Sequence, residues 1–443
     1  MSRTRSILLT VALCATSTLA APALARADEP EVTFATFNAS LNRNAEGQLL
    51  ADLSTGDNEQ ARNAAETIQR ANPDIVLVNE FDYDADGEAV RLFAENYLAV
   101  GQNGADPIEF PYSWTGPVNT GVPSGHDLNN DGTVGGPDDA FGFGTFPGQY
   151  GLVVYSKYPI LADDVRTFQN FLWGDMPGAL LPDNPDTAEP ADWFSAEELK
   201  AVRLSSKTHA DVPVNVDGTI VHVLVAHPTP PSFDGPERRN KLRNHDEIRL
   251  WADYVSDDAD YLYDDDGATG GLPAGSSFVV LGDYNSDPND GDSEPGAIQQ
   301  LLDAPAVLDP KPTSEGAVEA AEQGGANDSH LSEARFDTAD FGDDPAPGNL
   351  RVDYVLLSSA TMTVKDAGVW WPVSSDPLSR LTGTYPFPTS DHRLVWVTAT
   401  IAGEKPTPSP TPTPSESPSP TPSPSAKPTA TPPVKPGLPK TGA

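Results

Sequence analysis

Phe278-Val279-Val280-Leu281-Gly282-Asp283-Tyr284-Asn285 decides how the chain is read. Its first four residues are an apolar run with two β-branched members, the pattern of a short buried strand. The polar residues come directly after it, where a strand ends. The same layout recurs along the chain. The run 32–37 is followed by Asn38, 75–78 by Asn79 and Glu80, and 220–226 by His227, while Asp391-His392 comes just before the run 394–401. Further apolar runs lie at 151–155 and 352–357. Helical spacing lies between some of the runs, at 58–71 and 236–254. Strands separated by helices and long loops predict a layered α/β or α+β domain. In such sheets residues at strand ends collect along one rim, the usual place for a ligand.

The ends of the chain have a different character. Arg3 and Arg5 precede an apolar run over 7–25, and Ala23, Ala25 and Ala27 supply small residues for cleavage, so residues 1–27 read as a secretory signal peptide. Cys14, the single cysteine, leaves with it. The exported body then has no disulfide, thiolate nucleophile or zinc–sulfur site. A lipoprotein signal at Cys14 is the weaker alternative, because Leu13 is bulky where a small residue is needed. Residues 404–437 alternate Pro with Ser and Thr, which predicts an extended, polyproline-like stalk.

The body, 28–403, is long enough for one large domain or two small ones. Acidic, Gly- and Pro-rich stretches at 101–148, 175–190, 257–275 and 317–347 read as surface insertions. The chain carries a net charge of −38. That balance opposes broad electrostatic capture of nucleic acid, which relies on Lys and Arg neutralising phosphates. It suits solubility, and it offers many carboxylates to divalent cations. Arg203, Lys207, Arg238 and Arg239 are local cations that could bridge to a polyanion.

Six segments stand in order: Ala35-Thr36-Phe37-Asn38, Pro73-Asp74-Ile75-Val76-Leu77-Val78-Asn79-Glu80, Val225-Ala226-His227, Gly282-Asp283-Tyr284-Asn285, Arg351-Val352-Asp353-Tyr354-Val355 and Ser390-Asp391-His392. Taken singly, Glu80 also reads as a cap and Gly282-Asp283-Tyr284-Asn285 as a polar turn. As an ordered set, from Glu31 to Ala402, they resemble the endonuclease/exonuclease/phosphatase superfamily, relatives of pancreatic deoxyribonuclease. The resemblance implies a four-layer α-β-β-α sandwich, two face-to-face sheets with helices outside. It implies a metal-dependent phosphoric ester hydrolase using Mg²⁺ or Mn²⁺. Glu80 and Asp391 match the family's metal ligands, with Asn38 beside them on metal or phosphate. Asp283 matches the residue that orients or deprotonates the attacking water, and Asn285 would give its amide to a phosphate oxygen. The spacing of these two lets both project to one side of an extended segment. His392 would approach the phosphate, oriented by Asp353, and His227 matches a second histidine that binds phosphate or acts as general acid. The acidic partner of His227 is not legible. The stretch between Glu80 and His227 is longer than a compact member needs, and insertions there decide which leaving group fits.

These roles suit the chemistry. Phosphoester hydrolysis builds negative charge on several oxygens, so catalysis is mostly positioning and charge stabilisation. The leading reading is an extracellular nuclease. A phosphatase or a phospholipid-directed phosphodiesterase is the alternative, and a non-catalytic surface protein is disfavoured because every motif residue is intact.

Two further motifs stand apart. Residues 127–138 fit an oxygen-ligand calcium loop, with Asp127, Asn129 and Asp131 at positions one, three and five, Gly132 at the turn, the Thr133 carbonyl at seven and Asp138 at twelve. A surface turn is the plain alternative, and Asp in place of Glu at position twelve makes a weaker ligand. Leu438-Pro439-Lys440-Thr441-Gly442 looks like the signal that sortases cut to attach proteins to cell walls. A signal continued by an apolar span would give wall attachment, and the chain ending at Ala443 is expected to be secreted.

Overall fold

The computed structural model describes residues 30–344 and 346–402. The signal peptide, the stalk and the sorting motif lie outside them. The strands are β1 (Glu31–Asn38), β2 (Ile75–Asn79), β3 (Tyr112–Thr115), β4 (Leu152–Ser156), β5 (Arg166–Thr167), β6 (Ala210–Val216) and β7 (Thr219–Ala226) in the first part of the chain. They continue with β8 (Ser277–Asp283), β9 (Val307–Leu308), β10 (Ala339–Asp340), β11 (Asn349–Leu350), β12 (Asp353–Ser358), β13 (Met362–Val369) and β14 (Val395–Ile401). One six-stranded sheet runs β13-β14-β1-β2-β4-β3, a second runs β5-β6-β7-β8-β12-β9, and β10 and β11 form a short ribbon.

Each large sheet contains one parallel pair, β1 with β2 and β7 with β8, flanked by antiparallel strands. A parallel pair needs a crossover. Helix Glu59–Ala71 supplies the first and helix Arg239–Tyr254 the second. The first begins where Asn58 caps it, its side chain accepting a hydrogen bond from the Ala61 amide.

Strand periodicity explains the layers. On β1 and β2, Phe34 and Leu77 face the second sheet and join Val212, Val223, Val279 and Val355 in one core. Their neighbours Ala35 and Val76 face outward, under Ala61, Ala65 and Ile68 of the first helix. Leu224, Val280 and Leu356 likewise face Ile248 and Trp251 of the second helix. Both faces of both sheets are therefore buried, which gives the four-layer α-β-β-α sandwich and explains why the strands read as continuous apolar runs.

Some elements are additions to the sequence reading. β3 lies inside the stretch read as an insertion. β6 carries Pro213 in its middle, a residue that demotes a strand pattern, yet it pairs with β7 along its length. The Asp217-Gly218 turn joining them has both residues at positive φ, 50° and 97°, as a two-residue hairpin requires.

Candidate active site

The carboxyl ends of both parallel pairs meet at one rim. Asn38 ends β1, Glu80 follows β2, His227 follows β7 and Asp283 ends β8. Asp353 opens the antiparallel β12 directly opposite Asp283, and His392 precedes β14. Asn79 Nδ2 donates to the Ala226 carbonyl at 3.4 Å, fastening the sheets one residue before Glu80 and His227.

Asp283 is the centre of the group. Its Oδ2 accepts from Asn38 Nδ2 at 3.0 Å, lies 3.3 Å from His227 Nε2 and 3.5 Å from His392 Nε2. Its Oδ1 accepts the Asn285 amide at 2.9 Å. Burial alone would raise its pKa, but the charges of His392 and His227 and the hydrogen bonds from His227 and Asn38 outweigh that and hold it well below the usual carboxylate range. Asp283 thus supplies the acidic neighbour of His227, although His227 Nδ1 is buried without a partner.

His392 bridges two acids. Nδ1 meets Asp353 Oδ2 at 2.9 Å and Nε2 faces Asp283. Burial opposes charge on the ring, and the two carboxylates override it, raising the pKa well above the ordinary histidine value. Thr338 Oγ1 donates to the same Asp353 oxygen at 2.8 Å. Arg393, fully buried, holds the loop by donating to the Ser390 and His392 carbonyls while its head lies 4.3 Å from the Trp371 ring centre.

Glu80 sits in the left-handed region at φ 58°, with Oε2 accepting from Asn42 Nδ2 at 2.6 Å. Asp391 is half-buried, and its carbonyl accepts the Asp340 amide at 2.8 Å. Asn285 differs from expectation. The strand ends at Asp283 and Asn285 adopts φ 52°, so the two do not lie on one extended segment. The Asn285 side-chain Nδ2 donates to the Pro228 carbonyl at 3.2 Å, beside His227. Thr338, Asn42 and Arg393 were not legible in the motifs, and only Arg393 carried a signal, as the residue next to Ser-Asp-His.

The remaining histidines include two in structural settings. His209 is buried between Ser205 Oγ and the Glu247 carbonyl, and burial pushes its pKa down to about 4. His222 pairs with Asp211. In the loop 127–138, Leu128 and Asp138 line a cavity shared with Glu80 and His227. Asp127 accepts the Asp131 and Gly132 amides and Asp131 the Thr133 amide. Asp138 faces Arg239 at 3.4 Å, whereas the buried Asp139 accepts the Leu128 and Gly135 amides.

Asp283, Asp353 and His392 offer donor atoms within 4.8 Å of one another, a candidate acidic/His metal site among the described residues. Carboxylate oxygens and an imidazole suit a hard divalent cation, and Asp353 Oδ1 is buried with no partner.

The chain is similar in fold to several solved proteins. An endonuclease/exonuclease/phosphatase from Beutenbergia cavernae is 18% identical, with 84% of this chain and 72% of that chain covered and a TM-score of 0.47. A family protein from Leptotrichia buccalis is 12% identical over 84% and 100%, with a TM-score of 0.43. The human Nocturnin catalytic domain with bound sulfate is 11% identical over 84% and 96%, with a TM-score of 0.42. No curated protein matches the sequence. The sequence profile described as the Endonuclease/Exonuclease/phosphatase family matches residues 35–392. With that match spanning most of its length and an acidic/His cluster at the rim of a two-sheet sandwich, the chain belongs to the endonuclease/exonuclease/phosphatase family and is a metal-dependent phosphoric ester hydrolase.

Proposed function

We propose that the chain is an exported phosphodiesterase acting on nucleic-acid-type phosphodiesters, an extracellular nuclease in the broad sense. The observation that carries the chemistry is the Asp283 carboxylate held between His227, His392 and Asn38. Kept ionised, Asp283 orients the attacking water and accepts its hydrogen bond. His392, charged between two acids, donates from Nε2 toward a phosphoryl oxygen, and Asp353 with Thr338 fixes its ring. His227 stands where a leaving oxygen would take a proton. Asn285 would need to exchange the Pro228 carbonyl for a phosphate oxygen. Glu80, Asp391 and Asn38 would hold Mg²⁺ or Mn²⁺ at the rim. Such an ion, when bound, polarises the phosphoryl group and offsets developing charge. Loop 127–138 is assigned to structural Ca²⁺.

Export rests on residues 1–27, and the Pro/Ser/Thr-rich segment 404–437 precedes the sortase-type motif at 438–442. Sortase is the partner implied for a wall-attached form. The experiment is turnover of the purified chain on DNA, RNA and bis(p-nitrophenyl) phosphate with Mg²⁺ or Mn²⁺, against a chelated control. Cleavage of phosphomonoesters or phospholipids alone would favour the alternative reading.

A further inference from the structure

A cavity of about 560 Å³ opens beside the reacting centre, with Glu80, Lys207 and His227 at the end nearest it. Its outer walls include Phe141, Phe143 and Arg203, which fall outside all six motif segments. The cavity is therefore built from this chain's long connection between Glu80 and His227 together with the segment after His227 that carries Phe233.

Lys207 is only 6% exposed, and its ammonium donates no hydrogen bond to any described residue. Glu247, Glu80 and Asp283 surround it at longer range. It is held in place from behind, because the buried Glu247 carboxylate accepts the Ser206 and Thr229 amides, each at 2.6 Å. These amides adjoin Lys207 on one loop and follow His227 on the other. A cation largely withdrawn from water with no hydrogen-bonded side chain is costly, and a phosphate oxygen from the cavity would satisfy it.

A second part of the lining is aromatic and adjoins Lys207 through Asn119, whose amide donates to the Lys207 carbonyl at 2.9 Å. The Arg203 guanidinium lies 4.0 Å from the Phe141 ring centre and is braced by Asn119 Oδ1 at 2.5 Å. Phe143 and Phe233 also line the cavity yet are 57% and 95% exposed. Aromatic faces beside an arginine plane are the surface on which a nucleobase stacks. The volume falls among small-molecule sites, and the net charge of −38 opposes a long polyanion running over the body.

We propose that this cavity binds a single nucleotide unit of a small phosphoester, with its phosphate on Lys207 and its ring between Phe143 and Phe233 against the Arg203–Phe141 wall. The assignment deepens the phosphodiesterase reading and rests on it. It makes the preferred substrate a small or terminal nucleotide ester instead of internal duplex.

The test is calorimetric binding of adenosine 5′-monophosphate, adenosine and inorganic phosphate to the full chain in Mn²⁺ buffer. The nucleotide is expected to bind at least about tenfold more tightly than either part. Phe143→Ala and Phe233→Ala, both at exposed positions, should each weaken the nucleotide several-fold and leave phosphate affinity in place. Lys207→Met should weaken nucleotide and phosphate alike. Equal affinity for nucleotide and phosphate, no measurable nucleotide binding, or unaltered binding in both Phe variants overturns the proposal. So does duplex DNA that displaces the nucleotide at a lower phosphate concentration than the nucleotide itself needs. Hydrolysis of bis(p-nitrophenyl) phosphate is measured in parallel. Its absence refutes the phosphodiesterase reading, whatever the nucleotide does.

Discussion

Asn38 and Asp283 end strands of different sheets and are joined by a 3.0 Å hydrogen bond from Asn38 Nδ2 to Asp283 Oδ2. The bond closes the sandwich at its reactive rim and sets the direction of the Asp283 carboxylate. Asn38→Ala is expected to lower kcat by about 10²–10³-fold, the cost of losing one preorganised donor. Asn38→Asp sets a second carboxylate against Asp283 and should do no better. Full turnover by Asn38→Ala, measured under saturating metal, would remove this residue from the chemistry.

His392, Asp353 and Thr338 form one chain of hydrogen bonds. Residues that act as a unit lose their effect together. His392→Ala and Asp353→Asn should each be nearly inactive, and the double variant barely worse than either. Losses that multiply in the double variant would show that Asp353 does not act through His392.

Much of this site was legible because strand-end residues keep their place whatever happens in the loops. Asn38, His227, Asp283, Asp353 and His392 converge because each lies at or within a few residues of the end of a strand in one of two stacked sheets. The expectation that Asn285 shares an extended segment with Asp283 fails for the converse reason. β8 stops at Asp283 and the chain turns left-handed, which a two-residue spacing does not reveal. Thr338 reaches Asp353 from beside a two-residue ribbon strand, β10, too short to have a periodicity. Lys207 could be noted as a local cation, but its buried setting depends on Glu247, 40 residues further along, and no local pattern links the two.

Glu80 has a backbone that favours glycine, at φ 58°. Holding a non-glycine residue there costs on the order of 1 kcal/mol, which is consistent with the carboxylate being kept for function. Glu80→Gly should therefore lose about 10³-fold or more in turnover through loss of the metal anchor, while its melting temperature stays level or rises. Chelation should abolish wild-type activity, with Mg²⁺ or Mn²⁺ restoring it. An active Glu80→Gly would end the metal assignment.

Asp337, one residue before Thr338, offers a pH test read on stability instead of turnover. It is 3% exposed, and burial, with Asp287 and Asp290 nearby, pushes its pKa up to about 8 from an ordinary 3.8. In the unfolded chain the group ionises near its ordinary value, while the folded protein keeps the proton until about pH 8. Its contribution to stability is complete below the ordinary pKa and is lost as pH rises through the folded one. Asp337→Asn should melt roughly 2–4 °C above wild type at pH 8, with the difference vanishing toward pH 4. A constant difference across that range would show that this carboxyl is not the cause.

The loop 127–138 gives the last prediction. Its acids are already turned inward by the loop's own amides, Asp127 by those of Asp131 and Gly132, and Asp131 by that of Thr133. An ion that binds only the folded loop stabilises the protein by mass action, about 2.7 kcal/mol at a hundred times its Kd. Ca²⁺ should raise the melting temperature by a few degrees, and Asp127→Ala with Asp131→Ala should remove that rise while metal-dependent turnover persists. Asp138→Ala separates two roles for the twelfth position. If Asp138 is a ligand, the variant loses most of the Ca²⁺ response. If it serves only Arg239, 3.4 Å away, the response stays whole. A Ca²⁺ shift that survives the Asp127/Asp131 double variant would reduce the loop to a surface turn pinned by Asp139.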